Sequence, residues 1–127
     1  MRTFKNKRFE KFARKQGIAD TQLLEVVRRA EAGQIDADLG GGVIKQRVER
    51  QGQGKRGGYR TIILYRSQER AFFVYGFAKN EQENISVEEL AVIREMAELY
   101  LTMAEENLKT LIDNADLWEV PNHAEEV

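Results

Sequence analysis

The spacing of apolar residues predicts two helices in the first third of the chain. Within residues 6–16, apolar side chains recur at i, i+3 and i+4, the spacing of one helical face, and Gly17 ends the segment. A second helical pattern begins near Asp20, the expected N-cap, and ends at Gly33. Because only a few residues join the two helices, they predict a helical hairpin.

Further along the chain, apolar residues alternate with polar ones, as they do in strands. Three segments follow this pattern: residues 43–50, 59–66 and 70–79. Their short connections predict a consecutive antiparallel meander. We expect residues 51–58 to form a glycine-rich basic loop, residues 35–42 a second loop, and residues 2–5 a short edge strand.

The last third of the chain returns to the helical period. A capping box begins at Ser86, and apolar residues then recur every three or four positions over residues 90–113. This predicts one long helix, with a break near Thr102 or Asn107 as the alternative. The fold class is therefore α+β: a small twisted antiparallel sheet with an N-terminal helical hairpin and a long C-terminal helix.

The composition excludes several kinds of chemistry. The chain has no cysteine, which excludes disulfides, thiolate nucleophiles and cysteine-ligated zinc. Its single histidine, His123, lies in the C-terminal tail, so a Ser-His-Asp triad or a histidine metal site is not expected. No apolar run is long enough to cross a membrane, and the N-terminus does not resemble a secretory signal. We expect a cytoplasmic protein without a cofactor or metal.

The net charge of −1 conceals a strong asymmetry. Residues 1–84 carry 18 Lys and Arg against 10 Asp and Glu, whereas residues 85–127 carry 2 against 11. A basic body with an acidic end suits the binding of a polyanion, most simply a nucleic acid. Surface charge that happens to segregate is the alternative interpretation.

The cations cluster on the predicted hairpins. Lys45 and Arg47 are two residues apart on one strand and therefore share a face. Lys55 and Arg56 lie in the next loop, and the following strands add two more cations, Arg60 and Lys79. A meander brings Arg60 and Lys79 together, with Lys45 and Arg47 one strand away. Such a cluster suits a phosphate chain, although cations at strand ends also prevent aggregation.

Residues 52–57 match the pattern G-x-G-x-x-G, but their context excludes a dinucleotide site. That motif follows a strand and opens a helix, whereas these residues lie between two strands. They form either a flexible hairpin loop or a loop whose backbone amides approach phosphates.

Three segments together resemble a known family. They are residues 41–48 (GGVIKQRV), residues 54–61 (GKRGGYRT) and residues 77–81 (FAKNE). They resemble the HigB-like branch of the RelE/ParE toxins over residues 1–100, with residues 101–127 as an acidic helical extension and tail. The resemblance implies the toxin of a type II toxin–antitoxin pair, with a cognate antitoxin as partner. It also implies cleavage of translated mRNA on the ribosome, without a metal.

The resemblance also implies roles for individual residues. Lys45 and Arg47 match the two basic positions of the second strand, Arg60 matches the arginine that opens the third, and residues 79–81 match the basic segment that closes the fourth. Asn80 stands where RelE itself has an arginine. Ser86 likewise falls near the position of the RelE C-terminal tyrosine, so those two groups are not carried over.

These matches suggest a different role for each group of residues. Arg60 is the expected phosphoryl clamp, because a guanidinium pairs with phosphate oxygens through a fork. Lys45 and Lys79 are candidates for proton transfer, with base and acid left open between them. The other candidates are expected to hold RNA: Arg47, Lys55, Arg56 and Asn80. The alternative function is non-enzymatic, either a gyrase inhibitor like ParE or an RNA- or protein-binding module.

Overall fold

The computed structural model describes residues 1–50, 54–79 and 84–122, with the backbone alone at residues 50 and 54–57. The described part contains six strands and four helices. In chain order they are β1 (Arg2–Asn6), α1 (Lys7–Gln16), α2 (Asp20–Glu31), β2 (Ala37–Gly40), β3 (Val43–Arg50), β4 (Gly54–Arg66), β5 (Arg70–Ala78), α3 (Val87–Tyr100), α4 (Glu105–Asp113) and β6 (Leu117–Val120).

The strands form one sheet in the order β2-β3-β4-β5-β1-β6. The predicted meander is confirmed, because β2 to β5 pair consecutively and antiparallel. The sheet is nevertheless mixed rather than antiparallel throughout, because β1 runs parallel to β5. The predicted strand at residues 2–5 is confirmed as β1, but its predicted position at the edge of the sheet is wrong, since β6 pairs with its outer side. These pairings join the two ends of the chain, which local periodicity does not reveal.

Capping groups set the ends of the first two helices. The Asn6 side chain accepts a hydrogen bond from the Phe9 amide at 2.8 Å, and Gly17 ends α1 in the left-handed region with φ of 71°. The predicted N-cap of α2 is wrong by one residue, because Ala19 occupies that position. Asp20 is free to pair with Lys5 instead, with 3.0 Å between Nζ and Oδ1.

The two N-terminal helices pack mainly on the sheet. Helix α1 lies against β5 and β1, whereas α2 lies against β3. The pair therefore differs from the self-packed helical hairpin that the sequence predicted. Apolar side chains of both helices cover one face of the sheet and form a first core cluster that includes Phe9, Leu23, Ile63 and Phe73.

The opposite face of the sheet carries a second core cluster. Phe4, Leu64 and Phe72 project from the strands, and α3 and α4 cover them with Ile93 and Leu108. Burial on both faces explains why the central strands are so rich in apolar residues.

The single long C-terminal helix is a wrong prediction. Helix α3 ends at Tyr100, and Ala104 adopts extended backbone, with ψ of 148°, before α4 begins. This break lies at Thr102, one of the two positions considered from sequence. It redirects the chain, so that Leu108 packs beneath the sheet and β6 reaches β1. The domain boundary placed between residues 100 and 101 stays a prediction.

The segment predicted as a loop over residues 35–42 contains a strand. Residues 37–40 form β2 and pair with β3 at the edge of the sheet. Three successive glycines with positive φ, Gly40, Gly41 and Gly42, then make the turn into β3. Arg94 of α3 donates hydrogen bonds to the Leu39 carbonyl and ties this turn to the helix. The glycine run masks the strand signal in the sequence.

Candidate functional site

Three of the predicted cations lie on one face of the sheet. Lys45 and Arg47 alternate along β3 with the buried side chains of the first core cluster, so both point to the opposite face. Arg60 on β4 is paired directly with Arg47. We call this surface, formed by Lys45, Arg47 and Arg60, the cationic face. The cationic face lies on the same side of the sheet as α3. It is found at the end of the strands beyond the N-terminus of that helix.

Lys45 contacts the chain just before α3. Its Nζ donates to the Asn84 side chain across 3.4 Å. The same Asn84 oxygen accepts the Ile85 amide at 2.9 Å, and Ser86 then caps α3. The start of the helix therefore borders the cationic face, with the lysine at the boundary.

Arg47 is held by polar contacts on both sides of its backbone. Its amide donates to Asp36 Oδ2 at 2.8 Å, and its carbonyl accepts from Arg29 Nη2 at 2.5 Å. The Asp36 oxygen also lies 3.7 Å from Arg47 Nε and 3.9 Å from Arg29 Nη1. Asp36 therefore bridges two arginines from different elements and fixes the edge of the cationic face.

A buried amide supports this arrangement from beneath. Gln46 is fully buried on the opposite face of β3. Its Oε1 accepts from the Asp36 amide at 2.6 Å, and its Nε2 donates to the Gln34 carbonyl at 3.1 Å. Satisfying both ends of a buried amide locks the loop before β2 against β3. Asp36 is consequently placed by the core rather than by the loop alone.

Arg60 is half-buried and poorly paired. Within the described residues its Nη1 is enclosed and has no hydrogen-bond partner. Burial lowers the pKa of the Arg60 guanidinium, the neighbouring Arg47 charge lowers it further, and Asp36 partly offsets both effects. The guanidinium nevertheless stays charged at neutral pH. An enclosed guanidinium nitrogen without a hydrogen-bond partner is costly.

A bulge shapes β5 beside Arg60. Ile62 pairs with Tyr75 whereas Ile63 pairs with Phe73, so Val74 is an extra residue in β5. Beyond the bulge, Tyr75 and Phe77 share the face of Arg60, and Phe77 lies directly opposite it. The bulge therefore places aromatic rings next to the cations.

The remaining predicted residues lie at the same end of the sheet or outside the described part. Lys79 is exposed and follows β5 directly, two residues after the partner of Arg60. Lys55 and Arg56 belong to β4 rather than to the predicted loop, and only their backbone is described. Asn80 lies outside the described residues. The structure thus groups Lys45, Arg47 and Arg60, with Lys79 at the end of the neighbouring strand.

Sequence reasoning missed the roles of Asp36 and Arg29. Asp38 is a turn former, because its Oδ1 accepts the Gly40 amide at 2.9 Å. Asp36 instead pairs with arginines. Nothing local in the sequence distinguishes Asp36 from Asp38, because their different roles arise from the way this segment pairs with β3.

The described residues offer little for a metal ion. No group of three or more Asp, Glu or His side chains is arranged to hold one within them. In the same part of the chain, no helix combines the length and apolar character needed to cross a bilayer.

Comparison with known families supplies the decisive observation. The family described as the RelE toxin of the RelE/RelB toxin–antitoxin system matches residues 1–120. The chain belongs to the RelE toxin family. A search of curated protein sequences found no match. The match extends over α4 and β6, which pack as part of the RelE-family fold described above.

Membership gives this RelE-family chain a coarse function. The family supplies the toxin half of a toxin–antitoxin system, and its toxins are generally ribonucleases that act on mRNA at the ribosome. An antitoxin partner is likewise what the family implies. The resemblance drawn from the sequence is therefore confirmed at the level of the RelE family, whereas its HigB-like branch stays a prediction.

Proposed function

We propose that this RelE-family toxin is an endoribonuclease that cuts mRNA on the ribosome and thereby stops translation. The observation that carries the proposal is the direct pairing of Arg60 with Arg47, with Lys45 on the same face of the sheet. Like charges placed directly opposite each other on a sheet destabilise the fold. The pairing of two arginines is therefore explained if this surface binds the phosphates of RNA.

The chemistry needs only groups of the kind that lie here. The ribose 2′-OH attacks the adjacent phosphorus, negative charge grows on the phosphoryl oxygens, and the 5′-oxygen leaves with a proton. The products are a 2′,3′-cyclic phosphate and a free 5′-OH. Positioning and electrostatic stabilisation supply most of the catalysis, without a metal or cofactor.

Arg60 is assigned to the phosphoryl oxygens in this proposal. Its guanidinium lies beside Arg47 on the cationic face and can pair with phosphate oxygens through a fork of N–H donors. Lys45 and Lys79 are proposed for proton transfer, one accepting from the 2′-OH and the other donating to the 5′-oxygen. The RNA backbone is proposed to lie along Arg47, Lys55, Arg56 and Asn80.

The proposed partners follow from this activity. The substrate is mRNA in the decoding site of the ribosome, and a cognate antitoxin restrains the toxin. A ribosomal target places the protein in the cytoplasm. The sequence Lys79-Asn80-Glu81, which follows β5, supports placement within the HigB-like branch.

A second candidate is inhibition of DNA gyrase by binding, as in ParE. The cationic face also suits DNA phosphates, so charge alone does not separate the two functions. The half-buried Arg60 favours the nuclease, because binding of a polyanion alone requires only exposed charge.

The experiment that tests the proposal is primer extension on a translated message, with and without ribosomes, run beside a gyrase supercoiling assay. Discrete cuts only in the presence of ribosomes are the expected result. Arrest of supercoiling without any cut would replace the nuclease with the gyrase inhibitor.

A further inference from the structure

An arginine stacked on an aromatic ring lies near the cationic face. Arg8 begins α1 and places its Cζ 4.1 Å from the centroid of the Tyr75 ring. Glu89 of α3 forms a long ion pair with the same guanidinium, with 3.7 Å between Oε2 and Nη2. The Arg8 side chain is nevertheless 57% exposed. The ring and the carboxylate therefore orient a guanidinium plane that remains open to a ligand.

The sheet register connects this stacked pair to the cationic face. Tyr75 is paired with Ile62, and Ile62 is paired on its other side with Lys45. The Tyr75 ring centroid also lies 5.8 Å from that of Phe77, the residue opposite Arg60. Two strand spacings of about 4.8 Å separate the backbone positions of Tyr75 and Lys45. Tyr75 therefore lies on the face of Arg60, one strand away and two positions along β5 from the residue opposite it.

A groove at Arg8 has room for one base. Its volume is about 310 Å³, and it runs between the start of α1 and the first turns of α3. Its lining includes Arg8, the carboxylates of Glu88 and Glu89, and the apolar side chains of Val92 and Met96. Carboxylates repel a phosphate, but they accept hydrogen bonds from the ring N–H and amino groups of a base. The groove thus suits a base rather than the RNA backbone.

We propose that Arg8, stacked on Tyr75, is a binding site for a purine base of the mRNA next to the linkage that is cut. Bases in single-stranded RNA stack on arginine planes and aromatic rings and are read along their hydrogen-bonding edges. A purine presents the larger stacking surface, and its amino group can donate to the exposed Glu88. The proposal rests on the proposed function and adds a determinant of sequence preference to it.

Binding of uncleavable RNA tests the site directly. The probes are short 2′-O-methyl RNAs in which each nucleotide position in turn carries a purine, a pyrimidine or no base. Fluorescence anisotropy gives the affinity of the protein for each probe. At one position, the intact protein should bind the purine probe about fivefold more tightly than the abasic probe, as expected for one stacked base. Arg8→Lys keeps the positive charge but removes the guanidinium plane on which the base stacks. The ratio of the two affinities should therefore fall to about twofold or less.

Arg14→Ala is the matched control. Arg14 lies in the same helix, is 71% exposed and pairs only weakly with Glu10 at 3.9 Å, so its loss should leave the purine preference intact. A preference that survives Arg8→Lys, or that is absent from the unaltered protein, would overturn the proposal.

Mapping cuts on a translated message separates this inference from the proposed function. If the unaltered chain makes no cuts, the nuclease proposal fails, while the binding measurement still decides the base site. If it cuts, Arg8→Lys should change which bases flank the cuts, and Arg14→Ala should not. Slower cutting with unchanged flanking bases would assign Arg8 to a ribosomal RNA base and contradict the mRNA site proposed here.

Discussion

Arg47 and Arg60 lie directly opposite each other on neighbouring strands, and a carboxylate oxygen of Asp36 lies 3.7 Å from Arg47 Nε. The aspartate restrains one arginine of the pair and leaves the other without a hydrogen-bond partner at Nη1 within the described residues. The pair is therefore asymmetric: Arg47 is fixed by the Asp36 carboxylate, and we propose that Arg60 holds the phosphoryl oxygens.

The role of Asp36 as a structural bridge is testable by two substitutions. Asp36→Ala removes the acceptor of the Arg47 amide and should lower the free energy of unfolding by about 0.5–1.5 kcal/mol. Asp36→Asn keeps a side-chain acceptor and should cost less than half as much. Urea denaturation provides the measurement. Equal losses for both variants would show that charge, rather than the hydrogen bond, sets the contribution.

Glu31 should make stability depend on pH. It joins α2 to the β4–β5 turn by accepting hydrogen bonds from Tyr65, from Ser67 Oγ at 2.9 Å and from the Gln68 amide at 2.9 Å. Burial raises the pKa of this carboxyl, but the hydrogen bonds together lower it by more, so that the pKa lies below the ordinary value of 4.5. The stabilising effect is thus present above the unfolded pKa and lost as the pH falls through the folded pKa.

The measurement compares Glu31→Gln with the unaltered chain. At pH 7 the variant should be less stable by about 0.5–1 kcal/mol, a value reduced by solvent screening at this exposed site. The difference should shrink as the pH is lowered from 5 towards 3. A difference that is constant over this range would contradict the assigned pKa direction.

The C-terminal segment should contribute to the core of the fold. Leu108 in α4 is fully buried in the second core cluster, whereas Leu99 in α3 is 65% exposed. Leu108→Ala should therefore lower the free energy of unfolding by about 2–5 kcal/mol, and the matched Leu99→Ala should change it by about 0.5 kcal/mol or less. Similar losses for both leucines would mean that α4 is not part of the cooperative unit.

Much of the fold was predictable because its signals are local. Alternation located both ends of β3, Val43 and Arg50, and gave the antiparallel meander. The capping group Ser86 marked the start of α3. The parallel pairing of β1 with β5 and the placement of β6 outside β1 were not predictable, because they depend on contacts between residues more than 60 positions apart.

The cationic face was predictable in part for the same reason. The two-residue spacing of Lys45 and Arg47 places them on one face of any strand, and a meander brings Arg60 beside them. The Asp36 bridge depends on the irregular loop before β2, and the Arg8–Tyr75 stack depends on the pairing of β1 with β5, which brings the start of α1 beside β5. Neither relationship has a signature in the spacing of residues.

The most direct test of the account is the rate of mRNA cutting by Arg60→Ala in a purified translation system. Loss of the proposed phosphoryl clamp should slow cutting about 100-fold or more, while circular dichroism and the denaturation midpoint stay close to those of the unaltered chain. Arg66→Ala is the matched control, because Arg66 ends the same strand, is exposed and pairs with Glu69 at 2.8 Å; it should cut at the normal rate. A folded Arg60→Ala variant that cuts as fast as the unaltered protein would contradict the account.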